Sequence, residues 1–520
     1  MKSGADSLPR VRAWGPTGLG LRAAFGGLLT LLVALLALSI PAGAAAKAGE
    51  GASSVQPVGP LQNEGRWIVD ARGRVVILHG LNMVAKRPPY LPSALGFGRD
   101  DARFLARNGF NTVRLGMIYG AVEPEPGEYD ERYVAASART ERTLARSGIF
   151  SLVDFHQDLY NERFEGEGWP DWATLDDGLP AEPTPGFPAT YIASPGLNRA
   201  FDNFWADAPG PGSVGLQERY AGAWARVARE FRRRDSVLGY DLLNEPWPGS
   251  TFPGCASTVG CPAFDRDALG PMQARMIAAI RRVERRHMVF YEPHVLFNFG
   301  VGTHLPDLGD NLGFSFHVYC LTGVIQGAPA TCEEAERLPF GNADRRARQF
   351  GDSLLLSEFG ATDDIATLER LTRYADEHLV SWQEWHYCGC DDPTTSGPGD
   401  LQALVRDPAL PPRGDNVFRD KLEALARPYP QLTAGTPREL SFDPRSKRLE
   451  YAYSPRRADG GGRFHGGRTV LFLPRIQYPD GYRLRARGAS VARAGGKRAV
   501  LETRRGATRV RVVVKPRGRS

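Results

Sequence analysis

The chain has 520 residues, more than one hydrophobic core usually organises, so its length predicts a barrel-sized domain and one smaller domain. Hydrophobic residues make up 42% and charged residues 24%, the composition of a globular protein rather than of a disordered chain. The net charge of +6 is unevenly spread, because residues 481–520 hold thirteen Lys and Arg against one acid, Glu502, and the rest is net acidic.

The first 46 residues differ from everything that follows. Four basic residues from Lys2 to Arg22 precede an apolar run at 28–40, and Pro41 with a cluster of alanines comes next. This order predicts a secretory signal peptide over residues 1–46 and a secreted protein. A retained membrane anchor is the alternative, although the run is short for a spanning helix and no later segment is long and apolar enough to span.

From residue 75 onward, short apolar runs alternate with amphipathic stretches. The helical stretches include residues 99–108, 131–147, 216–232, 267–285 and 365–377. Eight such units in a row predict an α/β fold, a closed (β/α)8 TIM barrel over residues 47–430. No glycine-rich dinucleotide fingerprint follows the first run, which removes an open doubly wound sheet as the main rival. The eight predicted strands are residues 75–79, 112–115, 150–155, 237–243, 288–292, 312–318, 353–357 and 380–385.

An irregular insertion rich in aromatic residues separates the third and fourth runs. Two interpretations are open: the rings pack the insertion onto the barrel, or part of them lines an apolar groove for lipid chains beside a sugar cleft. The rings are Tyr160, Phe164, Trp169, Trp172, Phe187, Tyr191, Phe201, Phe204 and Trp205.

The six cysteines all lie beyond the predicted leader, and an even count in an exported protein favours disulfides. Cys388 and Cys390 are too close in sequence for a relaxed bridge, so we expect them to pair elsewhere or to stay reduced. This Cys-x-Cys lacks a second cysteine pair at zinc spacing, and no metal site is predicted. Short loops would be closed by Cys255 with Cys261 and by Cys320 with Cys332.

After Pro428 the pattern changes to strand-like runs and Gly-rich turns, which predicts a β-sandwich over residues 431–520. Its arginines alternate with apolar residues at strand period, for example at 483, 485, 487, 509 and 511. A solvated strand face is the favoured interpretation, and attraction to an anionic membrane surface is the sharper alternative. No nucleic-acid partner and no obligate protein partner are expected.

The carboxyl ends of the strands carry the reacting groups of a TIM barrel, so polar residues that end the eight runs are site candidates. Each has a structural explanation by itself, such as a buried ion pair or a helix-start carboxylate. Together they would converge on one cavity, and burying so much charge without a function would cost stability. In chain order they are Arg114, His156, Asp158, Asn244, Glu245, His317, Tyr319, Glu358 and Trp385.

Two glutamates that face each other across a barrel mouth suit cleavage of a glycosidic bond. We expect Glu245 to be the general acid/base and Glu358 the nucleophile, about 5 Å apart as in a retaining β-glycosidase. Arg114 and Tyr319 would stabilise an ionised Glu358, whose charge would keep Glu245 protonated. Asn244 would hold the sugar 2-hydroxyl, and this chemistry implies no metal or organic cofactor.

Several segments resemble a known family. Those around Glu245, Glu358 and His317 are similar to the strand-end motifs of glycoside hydrolase family 5, whose members are retaining barrels. Two others resemble the endoglycoceramidases of actinobacterial type, also called endoglycosylceramidases, and the resemblance covers roughly residues 60–430. The segments are Leu-Leu-Asn244-Glu245-Pro, Leu-Ser-Glu358-Phe-Gly, His317-Val-Tyr319, Gly80-Leu-Asn82-Met-Val-Ala-Lys86 and Asp154-Phe-His156-Gln-Asp158-Leu-Tyr160.

The resemblance implies a glycosphingolipid substrate, cut between the intact oligosaccharide and the ceramide. It implies that Lys86 and Asp158 contact the first sugar and that His156 and Arg114 support the site. The family uses one tryptophan platform on the eighth strand, where we favour Trp385 over Trp382. The β-sandwich also has a counterpart in these enzymes.

Three other functions remain open. Two are other family 5 β-glycosidase activities, an endoglucanase acting on polysaccharide and a glucosidase acting on a smaller lipid glycoside. The third is a catalytically silent, lectin-like binder of glycolipid. It is less favoured, because both glutamates and their supporting groups are present.

Overall fold

The structure is a computed structural model that describes residues 55–257, 259–320, 332–395 and 399–518. The predicted leader at residues 1–46 therefore lies outside the described residues. In these ranges, no helix combines the length and the apolar character needed to cross a membrane.

Eight parallel strands form a closed barrel in which neighbours follow the order of the chain, and Trp382 of the eighth strand pairs with His79 of the first. Every residue of these strands is buried, as in a sheet covered on both faces. The predicted TIM barrel is confirmed. The strands are His79–Met83, Thr112–Ile118, Phe150–His156, Val237–Asp241, Met288–Tyr291, Leu312–Val318, Ser353–Phe359 and Ser381–Glu384.

Helices surround the barrel because their apolar residues recur at helical spacing. In Leu216–Phe231 the buried side chains include Leu216, Tyr220, Trp224 and Val227, which form one stripe against the strands. The other α-helices are Arg99–Asn108, Tyr119–Val122, Glu131–Ala145, Thr190–Ala193, Pro195–Trp205, Pro262–Phe264, Gly270–Val283, Cys332–Phe350, Ile365–His378, Gly399–Gln402 and Arg419–Leu425. Short 3-10 turns are Pro92–Leu95, Glu162–Phe164, Asp171–Ala173, Pro211–Ser213, Gly249–Cys255, Val295–Phe299 and Gly414–Asn416, with a π-turn at Asp265–Leu269.

The first barrel strand begins at His79, and the prediction that it begins at residue 75 is wrong. Val75–Val76 instead pairs antiparallel with Tyr429–Thr433, a strand that follows the barrel. The run 75–79 is apolar almost throughout, and such a short run does not reveal which sheet it joins.

Two antiparallel sheets form the predicted C-terminal β-domain. The residues buried between them include Tyr451 and Val512 of one sheet and Leu471 and Leu501 of the other. The seven-stranded sheet contains Gln62–Glu64, Trp67–Val69, Val75–Val76, Tyr429–Thr433, Arg468–Phe472, Arg498–Thr503 and Ala489–Gly495. The four-stranded sheet contains Thr436–Asp443, Arg448–Ser454, Val510–Pro516 and Tyr482–Arg487.

One end of the barrel is closed by this domain. Ile68, Val76 and Leu432 share a buried apolar cluster with Phe150 and Leu238, which lie where barrel strands begin. The carboxyl ends of the strands, at the opposite end, remain available for a site.

All six cysteines are paired, as Cys255–Cys261, Cys320–Cys332 and Cys388–Cys390. The first two pairs confirm the prediction, and the expectation that Cys388 and Cys390 do not bridge each other is wrong. Their Cα atoms lie 5.1 Å apart, within the range for a disulfide, because the chain between them is compact rather than extended.

The aromatic insertion packs onto the barrel for most of its rings. Trp169 stacks on Tyr160 at 4.2 Å between ring centres, and both rings are buried. Phe164, Tyr191, Phe201 and Phe204 belong to the same core, whereas Trp172, Phe187 and Trp205 are half-buried. The structure therefore supports the packing interpretation for the buried rings, and a lipid groove has to be built from others.

Candidate active site

The predicted site residues meet at the carboxyl ends of the barrel strands, where one network of contacts joins all ten. Arg114 and Tyr319 both donate to Glu358, and His317 contacts Glu245. The second part of the network is centred on Lys86 and is described below. The ten residues are Lys86, Arg114, His156, Asp158, Asn244, Glu245, His317, Tyr319, Glu358 and Trp385.

Glu245 and Glu358 face each other across the barrel. His317 Nδ1 lies 2.8 Å from Glu245 Oε1 and 3.8 Å from Glu358 Oε1, and one oxygen of each carboxylate lies within 4.8 Å of the other. An inverting glycosidase leaves roughly 6.5–9.5 Å for a water molecule between its carboxyl groups, whereas a retaining enzyme needs about 5 Å. The spacing is that of a retaining pair.

Arg114 is fully buried at the centre of four carboxylates. Its guanidinium donates to Asp241 at 2.9 Å, to Asp154 at 3.0 Å, to Glu292 at 2.8 Å and to Glu358 at 3.2 Å. Burial by itself would lower the pKa of Arg114, but the surrounding carboxylates raise it above its usual value. Arg114 is therefore a permanent cation beneath the site.

Glu358 has a raised pKa despite two good donors. Tyr319 donates to Oε1 at 2.8 Å and Arg114 donates to Oε2. Burial raises the pKa of Glu358 to about 7, and Glu245 adds to this while His317 and Arg114 oppose it. Arg114 and Tyr319 donate to Glu358 as expected, but these donors replace only part of the hydration lost on burial, so the pKa stays above its usual value.

His317 is a second buried cation between the carboxylates. Its Nε2 lies 3.3 Å from Glu292 Oε1, while its Nδ1 contacts Glu245. Burial by itself would lower the pKa of His317, but Glu292 and Glu358 raise it well above its usual value. Both ring nitrogens are then donors, so His317 donates to Glu245.

The backbone of Glu245 is fixed in an unusual conformation. Its φ of 46° lies in the left-handed region, and its N–H donates to Glu292 Oε2 at 2.8 Å. Asn244, just before it, accepts from Arg114 at 3.0 Å and donates to the Gln157 carbonyl at 2.9 Å. One amide hydrogen of Asn244 remains for a sugar hydroxyl.

Sequence reasoning missed Glu292. It ends the fifth predicted run, the position that supplied candidates on the other strands, so the same criterion could have found it. Asn298 was also missed: its side chain donates to Glu245 Oε1 at 2.6 Å from the 3-10 turn Val295–Phe299. No motif in the sequence marks it.

A second part of the site is built around Lys86. Its Nζ donates to Asp158 at 2.5 Å and to Thr394 at 2.7 Å, and it lies 3.3 Å from Asp392. Burial by itself would lower the pKa of Lys86, but Asp158, Asp392 and the nearby Glu167 raise it well above its usual value. Asp392, Thr394 and Glu167 follow no strand-end pattern, and sequence reasoning missed them.

Trp385 covers this cluster. Its ring lies 4.5 Å from Lys86 Nζ and stacks on His156 at 5.1 Å, and its indole N–H donates to Gln402 at 3.0 Å. Burial lowers the pKa of His156 to about 3, so its ring is neutral. Trp382 instead stacks on His79 inside the barrel at 4.2 Å, and Trp385 is the tryptophan of the two that reaches the site.

Three buried groups have metal-like spacing in the described part of the chain. In the first, His156 with Asp158 and Glu167, the Lys86 ammonium already neutralises the carboxylates. In the second, Glu245 with His317 and Glu358, the protonated His317 supplies no lone pair. The cysteines of the third group, which contains His386, form the Cys388–Cys390 disulfide. None of these donor sets suits a metal ion.

Two family models match this chain. Residues 69–391 match the model described as Cellulase (glycosyl hydrolase family 5). Residues 427–514 match the glycoside hydrolase family 5 C-terminal domain. The two matches correspond to the barrel and to the β-domain that follows it.

Among curated proteins, the chain is 33% identical to endoglycoceramidase I of Rhodococcus hoagii, over 85% of this chain and 86% of that protein. Among solved structures, endo-glycoceramidase II from Rhodococcus sp. as a lactosyl-enzyme intermediate matches with a TM-score of 0.70 and 30% identity. The same enzyme in complex with ganglioside GM3 matches with a TM-score of 0.70 and 29% identity, and both matches cover 86% of this chain and 99% of the other. The chain therefore belongs to glycoside hydrolase family 5, and it is a glycosidase.

Proposed function

We propose that this enzyme hydrolyses the β-glycosidic bond between the oligosaccharide and the ceramide of glycosphingolipids, with retention of configuration. The observation that carries the proposal is the pair Glu245 and Glu358, within 4.8 Å of each other on the fourth and seventh strand ends. The similarity to endoglycoceramidases, one of them solved with ganglioside GM3, supports the choice of substrate.

The two glutamates divide the reaction into two steps. Glu358 attacks the anomeric carbon while the bond to the ceramide oxygen breaks, and the proton of Glu245 passes to that oxygen. Glu245 then takes a proton from water, which attacks the same carbon and releases Glu358 and the free glycan. In this proposal Lys86 and Asp158 bind sugar hydroxyls, and the ring of Trp385 stacks on the sugar.

An aromatic cluster adjoins the chain segment that carries Glu245, the proposed acid for the leaving group. Trp247 follows Glu245 by two residues, and its ring lies 5.0 Å from Tyr191 and 4.9 Å from Phe252. Trp247 is buried, whereas Phe252 is half-buried on the turn Gly249–Cys255. Phe252 therefore offers an apolar surface to the lipid, and the buried Trp247 and Tyr191 support the cluster from beneath.

We expect Phe252→Ser to lower kcat/KM for lactosylceramide roughly tenfold, about 1.4 kcal/mol for one lost apolar contact. Hydrolysis of an aryl lactoside should change less than about twofold, because binding energy from the lipid is absent there. Chromatography of the wild-type products should show ceramide and intact lactose. The matched control is Phe464→Ser, which removes a half-buried ring from the C-terminal domain.

The same assay separates the other family 5 activities. Release of single glucose units from a steryl glucoside, or preferential cleavage of cellulose oligomers, would contradict the proposal. So would a parallel loss on both substrates in Phe252→Ser, since the ring would then belong to the sugar site.

We also propose that the enzyme is secreted, on the strength of the basic, apolar and small-residue order of residues 1–46. Protein recovered from the culture medium should begin after this segment by N-terminal sequencing. Recovery of the full-length chain in the membrane fraction would contradict cleavage and support an anchor.

Finally, we propose that the β-domain contacts anionic membrane surfaces. In the four-stranded sheet Arg483 pairs with Lys515 and Arg487 with Arg511, so these side chains and Arg485 share one exposed face. Such a face attracts anionic headgroups with about 1 kcal/mol per cation. Arg509 differs, because it pairs with Glu439.

Replacing Arg483, Arg485, Arg487 and Arg511 by glutamine should weaken binding to vesicles that contain phosphatidylserine by at least about tenfold. Activity on detergent-dispersed substrate should stay within about twofold. Glutamine at four exposed arginines of the barrel, which carries the same loss of charge, is the control: Arg132, Arg139, Arg142 and Arg146. Equal weakening by both sets would show that net charge, and not this face, governs binding.

A further inference from the structure

Glu245 Oε1 already accepts two hydrogen bonds. Asn298 Nδ2 donates to it at 2.6 Å, and His317 Nδ1 donates at 2.8 Å. The Asn298 amide nitrogen can only donate, and the buried His317 cation has no lone pair to offer. A proton on Oε1 would therefore point at two other donors.

Asn298 is itself held firmly. It is 4% exposed, and its backbone carbonyl accepts the N–H of Tyr319 at 3.2 Å. Through this pair of contacts the turn Val295–Phe299 connects the general acid to the residue that donates to Glu358. Because the backbone of Asn298 is fixed in this way, its side chain reaches Glu245 from a defined position.

We infer that Asn298 is a positioning residue for the general acid, which with His317 occupies Oε1 of Glu245 and leaves Oε2 to carry the catalytic proton. The inference rests on the proposed role of Glu245 as acid/base. In the first step the proton then leaves Oε2 for the glycosidic oxygen as its bond to the anomeric carbon breaks, and the negative charge on Glu245 is stabilised at Oε1.

Removing this donor should change the acid and leave the nucleophile unaffected. In Asn298→Ala the carboxylate that Glu245 becomes after proton transfer loses a hydrogen bond, so proton transfer to the leaving group is less favourable. In Asn298→Asp, which has nearly the same shape, a second carboxylate beside Glu245 should make this proton transfer less favourable still. The titratable and charged groups that face Glu245 are His317 and Tyr319, Glu292, Glu358, Tyr191 and, through Asn244, Arg114.

The test compares two lactosides at several pH values. The leaving group of lactosylceramide needs a proton, so we expect kcat/KM of Asn298→Ala for this substrate to fall about tenfold. The basic limb of its pH profile of kcat/KM should lie about one pH unit higher than in the wild type. For 2,4-dinitrophenyl lactoside, whose leaving group needs no acid, the change should stay within about twofold. Asn298→Asp should move the basic limb in the same direction.

The control is Asn342→Ala. Asn342 donates to the carbonyls of Gly300 and Val301 at 3.1 and 3.3 Å, so it holds the same loop without contacting Glu245. If Asn298 only supports the loop, both variants should lose activity on the two substrates in parallel, with an unmoved basic limb, and the inference is then overturned. If the enzyme cleaves alkyl lactosides and not lactosylceramide, the proposed ceramide substrate is wrong. The same comparison made with an alkyl lactoside then still tests the role of Asn298.

Discussion

Glu358→Ala is expected to lower kcat for lactosylceramide by at least about ten-thousandfold, because no other side chain can form the glycosyl-enzyme. With dinitrophenyl lactoside and azide, the variant should regain turnover and form an α-glycosyl azide, since azide then occupies the space of the missing carboxylate. Identification of the azide product by NMR spectroscopy is the measurement.

Glu245→Ala is the matched variant for this experiment. It should retain the nucleophile, hydrolyse only substrates with good leaving groups, and form a β-glycosyl azide when azide attacks the glycosyl-enzyme. An α-product from Glu245→Ala together with a β-product from Glu358→Ala would reverse the two roles.

The second large effect concerns stability. Arg114→Met leaves four buried carboxylates without their shared cation, and we expect the free energy of unfolding at neutral pH to fall by roughly 3–5 kcal/mol. Burial raises the pKa of Asp241, Glu292 and Glu358, while Arg114 opposes the increase in each. Without Arg114 these values rise further, so the fold binds more protons than the unfolded chain and loses stability as the pH increases.

Thermal denaturation at pH 5 and pH 8 tests this expectation. The decrease in Tm relative to the wild type should be smaller at pH 5, because Asp241, Glu292 and Glu358 bind protons more readily in the variant. Arg114→Lys keeps the charge but not the planar guanidinium, so its Tm should lie between those of the wild type and Arg114→Met. Arg373→Met, which removes an exposed ion pair with Glu377, should cost less than about 1 kcal/mol at either pH. A loss for Arg114→Met that is equal at both pH values would contradict the electrostatic explanation.

The residues of the site could be found from the sequence because of the barrel geometry. The carboxyl ends of parallel strands lie on one side of a barrel, so residues as far apart as Arg114 and Glu358 are brought together by strand order alone. The same criterion applied to the fifth strand would have included Glu292. Asn298 could not be found in this way, since it lies on a turn six residues after that strand end and acts through one side-chain contact.

The electrostatics of the site were only partly predictable. The donors to Glu358 follow from strand position, but the balance between burial and these donors depends on how much water the folded site excludes. That balance places the pKa of Glu358 at about 7. It also places His317 as a cation beside Glu245, which the sequence did not indicate.

What the sequence by itself determined is the architecture: a run of alternating apolar strands and amphipathic helices, and the side of the barrel on which the polar residues meet. These are local properties, because the period of a strand or a helix is carried by residues close together in the chain. Only the tertiary structure decided that Val75–Val76 joins a sheet completed after residue 428, that Cys388 bridges Cys390, and that most rings of the insertion are buried. Each of these depends on backbone geometry or on contacts between distant residues, and neighbouring sequence does not encode which of several possible partners a buried group meets.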